Sequence, residues 1–344
     1  MGHWNVLQRS VRAGLASAIV GLSLVPNFAR AAGEMDVNIG IYPGLVSHAI
    51  AYVADTKGFY KEAGLNPTFI IVPSGVMMNS HIGSGTIDFG YQPLSNVGVA
   101  REQGLDQVFL YGNVTMPYVV VAHPDLKLPH KGKYPDVIAD LKGMNLGVTG
   151  RGADSEIFLR VMAADAKLDV DKDITWIAVG LPTGIPALKS RRVDALITLD
   201  PMPMIAVTQG IGQIIVDLRK GEGPGVFKGV VYQGVVAQRK TAAARPKVIE
   251  AMLTASAKAY CWINNQKNFD EFAAIMKTKV AVAELTDEQF RQMLRENIPI
   301  FTLTWPAANF KPWNDMLLRA KFLKAPLLPE EILWPSVPKS DPKC

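Results

Sequence analysis

Seven consecutive residues, Thr149-Gly150-Arg151-Gly152-Ala153-Asp154-Ser155, carry the sharpest chemical signal in the chain. Glycines let backbone N–H groups come close to a ligand, and the start of the helix that follows supplies partial positive charge. Arg151 can then pair an oxyanion in bidentate fashion. The competing reading is a glycine-rich helix start with a solvated arginine. The loop also brushes against the dinucleotide fingerprint, through Gly150, Gly152, Ser155 and the later Asp171.

Asp200-Pro201 is the second candidate. Its carboxylate can accept from a ligand amine or bridge two parts of the protein; the alternative is an ordinary Asp-Pro turn. Tyr42, Tyr91 and Tyr118 can stack on a ligand or hydrogen-bond to it, with core packing an equal reading for Tyr118. His48, His81, Met77, Met78, Met202 and Met204 read as packing residues. Asp88 and Asp194 resemble a carboxylate pair, yet each opens a short strand in one of two matching segments. Ser84-Gly85-Thr86-Ile87-Asp88-Phe89-Gly90 is answered by Arg191-Arg192-Val193-Asp194-Ala195-Leu196-Ile197. Both aspartates are therefore expected to be structural caps.

The elements that must position these residues alternate between strand and helix. Strands are expected over 36–42, 67–72, 108–111, 145–149, 176–179 and 214–218, and at Ile87-Asp88 and Val193-Asp194. Ser47 and Ser74-Gly75 open helices, and Ile157, Phe158, Val161, Met162 and Leu168 form one buried helical face. Such alternation means parallel α/β sheet. The β-branched run 118–122 and the segment 231–238 read as two crossings between lobes. After Pro246 the chain turns helical, with a capping box at Thr286 and Gln289, and the Pro- and Trp-rich segments 305–313 and 326–335 are expected to wrap over the first lobe.

Ligands of open α/β sheets bind beyond the carboxyl ends of the strands, where helix N-termini face the crevice. That rule selects Tyr42, Gly44 and Ser47 after the first strand, Ser74 and Gly75 after the second, and Tyr91, Gln92, Pro93 and Ser95 after the third. Asn113 and Thr115 follow the fourth. In the second lobe it selects Thr149, Gly150, Arg151, Gly152 and Ala153, then Leu181 and Asp200, with Tyr232 on the return crossing.

The chain has 344 residues, 49% apolar, 19% charged and 8% aromatic, which fits two globular lobes and excludes a disordered chain. The net charge of +5 includes Arg9, Arg12 and Arg30, and no basic cluster resembles a nucleic-acid footprint. The first two arginines, the uncharged apolar run 13–25 and Ala29-Arg30-Ala31 read as an export signal ending at residue 31, with a mature start near Ala32. No Cys follows the apolar run and no twin arginine precedes it, so the general secretory route is expected. Export also weighs against cytoplasmic dinucleotides. With only Cys261 and Cys344, a four-Cys zinc site is excluded, and H-E-x-x-H is missing. A buried Cys261 and a free Cys344 are expected, a disulfide between them being permitted.

Taken together, the residues resemble the solute-binding proteins of ABC importers in the nitrate/sulfonate/taurine group, which includes thiamine-pyrimidine binders. The marks are Gly58-Phe59-Tyr60-Lys61-Glu62-Ala63-Gly64-Leu65, the two Ile/Val-Asp segments, Asp140-Leu141-Lys142-Gly143, Ala187-Leu188-Lys189 and Asp200-Pro201, in the family's order. The resemblance implies an α/β fold of the type II periplasmic-binding-protein kind, two doubly wound lobes joined by two crossings with a C-terminal helical extension. The expected division is a signal at 1–31, first lobe at 32–117, second lobe at 118–231, and return plus C-terminal helices at 232–344. It implies a periplasmic, monomeric, non-enzymatic carrier with no cofactor or metal, delivering a small solute to a membrane permease. A sulfonate- or carboxylate-like anion is the expected solute, with a thiamine-pyrimidine-type heteroaromatic as alternative. An enzyme of the related thiamine-pyrimidine synthase fold is disfavoured by the signal and the lack of a Cys cluster. A transcription-regulator effector domain is disfavoured by the lack of a helix-turn-helix.

Overall fold

The structure, a computed structural model, describes residues 35–280 and 282–344. The export signal expected at 1–31 and the mature start near Ala32 lie outside the described residues. Ten strands form two five-stranded sheets among the described residues. They are β1 (Met35–Ile41), β2 (Leu65–Ile71), β3 (Phe89–Pro93), β4 (Gln107–Thr115), β5 (Tyr118–Ala122), β6 (Asn145–Val148), β7 (Thr175–Ala178), β8 (Ala195–Leu199), β9 (Gln213–Asp217) and β10 (Val231–Gln238).

The first sheet runs β2-β1-β3-β10-β4 and the second β7-β6-β8-β5-β9. Each has the second, first and third strands of its own half in parallel, then one antiparallel strand, then the fourth. The antiparallel strand is β10, the return crossing, in one sheet and β5, the outgoing crossing, in the other. Strands β3, β5, β8 and β10 are buried along their whole length. That explains why they read as apolar runs: helices cover both faces of each sheet.

The doubled segment has a physical cause. Asp88 N donates to Asn38 O (2.9 Å) and Asp88 Oδ2 accepts from Asn38 N (2.8 Å). Asp194 N donates to Asn145 O (2.8 Å) and Asp194 Oδ2 accepts from Asn145 N (2.9 Å). Each aspartate thus pins the start of a third strand to the first strand of its sheet. The repeat also extends further back than the two aspartates suggest, to Asn38-Ile39-Gly40 and Asn145-Leu146-Gly147. A Cβ on Gly40 would lie 2.7 Å from Ile87 Cδ1, and one on Gly147 3.3 Å from Val193 Cγ1, so the β-branched residue before each Asp packs on a glycine.

The C-terminal part is helical over Pro246–Asn264, Phe269–Lys279, Asp287–Asn297 and Phe310–Arg319, the third opened by the expected Thr286/Gln289 capping box. Trp305 stacks on Phe109 of β4 with ring centroids 3.9 Å apart, and Leu333 bridges to the same Phe109. No helix among the described residues is long and apolar enough to cross a membrane.

The cysteines depart from expectation. Cys261 and Cys344 form a disulfide, with Cα atoms 5.2 Å apart. Asp341 leads the tail back, its Oδ1 accepting from Leu303 N (2.6 Å) and Thr302 Oγ1 (3.0 Å). A contact set by tail geometry leaves no mark in cysteine spacing.

Candidate functional site

The carboxyl ends of β1 and β3 carry an internal polar network. Tyr42 Oη donates to Gln92 Oε1 (2.8 Å), which also accepts from Asn96 Nδ2 (2.8 Å). Gln92 Nε2 donates to Asn79 Oδ1 (2.7 Å), an atom that also accepts from Gln107 Nε2 (3.1 Å). Gln92 therefore orients Tyr42 and has little capacity left for a ligand. Ser74 caps the helix Gly75–Ser84, and Gly75 faces the Asn96 side chain. Asn113 Nδ2 donates to Ser47 O (2.7 Å) and to Gln233 Oε1 (3.1 Å), while Thr115 Oγ1 donates to Ile300 O (3.3 Å).

His48 sits behind Tyr42 in a ring cluster. Its imidazole stacks on Tyr42 at 6.0 Å and meets the edges of Tyr52 and Tyr91 at 6.1 and 5.0 Å. Burial pushes its pKa down to about 3, with the Tyr42 backbone offsetting a little of that, so the ring is neutral at physiological pH. Neither ring nitrogen makes a hydrogen bond, and the same holds for Ser47 Oγ, Tyr91 Oη and Ser95 Oγ. Such buried, unpartnered polar atoms are rare in native proteins and ask for an explanation.

From the second sheet, the turn after β6 leads into the helix Asp154–Asp165. Thr149 N and Oγ1 both contact Ser155 Oγ (3.0 and 2.8 Å), closing the turn on itself. Gly152, at φ 75°, donates its amide to Glu156 Oε2 (2.7 Å), and Arg151 Nε donates to the same oxygen (3.0 Å). Burial pushes the Glu156 carboxyl up, but the Gly152 amide with Arg160 and Arg151 outweighs it and holds it below the usual range. Arg151 is thus held by Glu156 through Nε alone, and its side chain is 56% exposed. Ala153 N donates to Gly150 O (3.2 Å).

Asp154, the first residue of that helix, points the other way. Tyr232 Oη donates to its Oδ2 (3.2 Å) and lies 3.1 Å from Tyr118 Oη. Tyr232 belongs to the first sheet and Asp154 to the second, so this bond crosses between lobes. Asp154 is only 8% exposed and its Oδ1 has no partner. Burial pushes its pKa up to about 6; Ser95, close by without making a full hydrogen bond, and Tyr232 pull it down slightly. Its charge in turn helps burial to raise the pKa of Tyr42.

Asp200 lies in a separate interlobe cluster. Its Oδ2 accepts from Arg219 Nη1 and from Asn297 Nδ2 (2.7 Å). Arg219, its side chain 2% exposed, also donates to Asp217 Oδ1 (2.9 Å) and Oδ2 (2.7 Å), and to Glu296 Oε2 (3.0 Å). Burial raises Asp200 despite the guanidinium beside it. Asn297 and Glu296 end the helix Asp287–Asn297, so Asp200 bridges two parts of the fold.

The structure therefore gathers Tyr42, Ser47, Tyr91, Ser95 and Tyr232 around one region, with Gln92 and Asn113 in its supporting network. Pro93 ends β3 beneath it, and Gly44 and Leu181 occupy loops at the strand ends. Arg151 and Asp200 are engaged with other protein groups. Sequence reasoning placed Asp154 in the glycine-rich candidate loop without giving its carboxylate a role, and read His48 as packing. Nothing local marked Asn96 or Arg219. A surface depression of about 580 Å³, lined by Arg101, Asp106, Arg239 and Glu331, lies at the opposite end of the first sheet. Its guanidiniums are paired with carboxylates within it.

Comparison with known proteins agrees with this architecture. The model of the NMT1-like family matches residues 30–277. A putative binding protein of Brucella abortus (strain 2308) is 21% identical over 325 residues, covering 91% of this chain and 94% of that protein. Among solved structures, the alkanesulfonate-binding protein SsuA from Xanthomonas axonopodis pv. citri, bound to MOPS, superimposes with TM-score 0.71 at 18% identity. It covers 88% of this chain and 99% of that one. The periplasmic nitrate-binding protein NrtA from Synechocystis PCC 6803 gives TM-score 0.69 at 16% identity, over 85% and 83% of the two chains. The likeness shows the fold: two α/β lobes of the periplasmic-binding-protein kind.

Proposed function

The chain belongs to the NMT1-like family, and we propose that it is an extracytoplasmic solute-binding protein that captures a small molecule between its lobes and delivers it to an ABC importer. One observation carries this reading. Where the strand ends of one sheet meet those of the other, Ser47 Oγ, both His48 nitrogens, Ser95 Oγ and Asp154 Oδ1 are buried and unpartnered. Within a repeated two-lobe frame, such a cluster is what a solute would complete.

The same atoms argue against catalysis. A serine nucleophile needs its base within hydrogen-bond reach. Neither Ser47 Oγ nor Ser95 Oγ bonds to the His48 ring. Periplasmic location, monomeric state and a permease partner follow from the carrier reading and stand or fall with it.

For the solute, an organic anion has one specific support: this chain shares its fold with proteins described as alkanesulfonate- and nitrate-binding. Arg151 reaches Glu156 through Nε alone, which leaves its two Nη groups for such an anion. If Arg151→Ala left anion affinity unchanged, Arg151 would be no anchor. The carrier reading itself is tested by a thermal-shift screen of the mature protein against small metabolites. A solute at about 100 times its Kd adds about 2.7 kcal/mol of stability. Turnover of the bound compound, detected by mass spectrometry, would refute a carrier.

A further inference from the structure

We propose that Asp154 is the solute-recognising carboxylate, and that the solute offers it a cationic N–H donor: a protonated amine or an amidinium. The proposal rests on the carrier reading and specifies its ligand class.

The geometry is that of half a recognition site. Asp154 is held in place by one hydrogen bond, from Tyr232 Oη to Oδ2, while Oδ1 is buried without one and has only the Ser95 hydroxyl close by. The protein supplies no counter-charge to it. The nearby guanidiniums of Arg151 and Arg160 bind Glu156, and Arg219 is engaged by Asp200, Asp217 and Glu296. A buried carboxylate without a partner is costly, and a charge-assisted N–H···O bond is among the strongest ways of completing it. An anionic group placed at Oδ1 would face the carboxylate directly.

The surroundings select further. Tyr42, Tyr118 and Tyr232 turn toward Asp154 from β1, β5 and β10, and burial raises all three, so they remain neutral hydroxyls. His48, behind Tyr42, stays neutral as well. Ser47 Oγ, Ser95 Oγ and the two His48 nitrogens remain for a ligand's other polar groups. The helix start at Asp154 favours the ionised carboxylate, which leaves burial as the reason it titrates high.

The test uses isothermal titration and thermal shift on the mature protein with two matched probe sets. Benzamidine and benzylamine are the donors; benzenesulfonate and benzoate are the anions. The expected result is binding of at least one donor, about tenfold tighter at pH 7.5 than at pH 5, because a carboxyl titrating near 6 is mostly protonated at the lower pH. Asp154→Asn should weaken that binding at least tenfold, while melting no lower than the wild type without solute, which separates lost recognition from misfolding. Anion binding that is unchanged or tightened in Asp154→Asn, with no donor bound, overturns the assignment and leaves the carrier reading standing. If neither set binds, and no small molecule is released on denaturing protein secreted from cells, the carrier reading fails and this one with it.

Discussion

Replacing Asp154 by asparagine, with no solute added, should stabilise the protein at neutral pH and leave it nearly unchanged near pH 4. The carboxyl is raised from its ordinary 3.8 to about 6. Between those values the native state holds a proton that the unfolded state has released, so wild-type stability falls as pH rises through the window. Two units at about 1.4 kcal/mol each give a deficit of about 3 kcal/mol above pH 6, which asparagine removes. His48 works in the opposite sense. Its pKa falls from 6.5 to about 3, so the unfolded state takes up the extra proton and stability falls as pH drops below 6.5. From pH 4 to 6 the two contributions cancel in the wild type. In Asp154→Asn only the His48 slope of about 1.4 kcal/mol per pH unit remains.

Urea unfolding at pH 4, 5, 6 and 7 measures this directly. The difference between variant and wild type should grow from near zero to about 3 kcal/mol. A constant difference across the range would mean that Asp154 titrates normally, and the picture of a bare, buried Oδ1 would be wrong. Replacing His48 by phenylalanine provides the mirror control: with only the Asp154 slope left, stability should rise on acidification from pH 6 to 4.

Three further changes probe the frame around the cleft. Arg219→Met leaves Asp200 and Asp217 buried without their guanidinium, and should cost about 3–5 kcal/mol in urea unfolding at pH 7; a loss below about 1 kcal/mol would show that Lys220 and Asn297 suffice. Cys344→Ser removes a cross-link spanning 83 residues, worth at most about 4.5 kcal/mol on the chain-entropy scale, and dithiothreitol should lower the melting temperature of the wild type but not of the variant. Gly112→Ala would place a Cβ 2.0 Å from Thr304 O. Because the obstacle is backbone, that variant should lose about 1–3 kcal/mol and loosen the C-terminal wrap, read as faster proteolysis there.

What was legible in the sequence was whatever is decided locally. Apolar alternation and β-branched runs marked the strands, and Ser74 and Thr286 announced the helices they cap. Asp88 and Asp194 were recognisable as equivalent because each does the same local work, holding a third strand to a first. Asn38-Ile39-Gly40 and Asn145-Leu146-Gly147 escaped notice, since their equivalence lies in what packs on the glycines from about fifty residues away. The polar interior was less legible for the same reason. Nothing in the sequence marks Arg219, yet it is buried by carboxylates from two lobes. Asp154 has no role of its own in the glycine-rich loop as the sequence shows it, and only the fold brings it to Tyr232. Arg151 drew attention because guanidinium and glycines suggest an oxyanion, but Glu156, five residues on, holds its Nε.

Two fasteners of different kinds join the lobes. One is ionic, from Asp200 through Asn297 and from Arg219 to Glu296; the other is centred on the Tyr232 hydroxyl, which meets Asp154 and Tyr118. Opening the cleft by separating the sheets must break the second, leaving Asp154 with neither oxygen partnered unless water reaches it. A solute shifts the balance between open and closed forms only by its difference in affinity for the two. Asp154 supplies that difference: one oxygen holds the opposite lobe while the other is free for the solute. A donor bound at Oδ1 keeps the carboxylate ionised, and an ionised carboxylate accepts more strongly from Tyr232. Binding and closure therefore reinforce one another through a single side chain, whereas an anion gripped by Arg151 on the exposed side of the helix would leave this interlobe bond untouched.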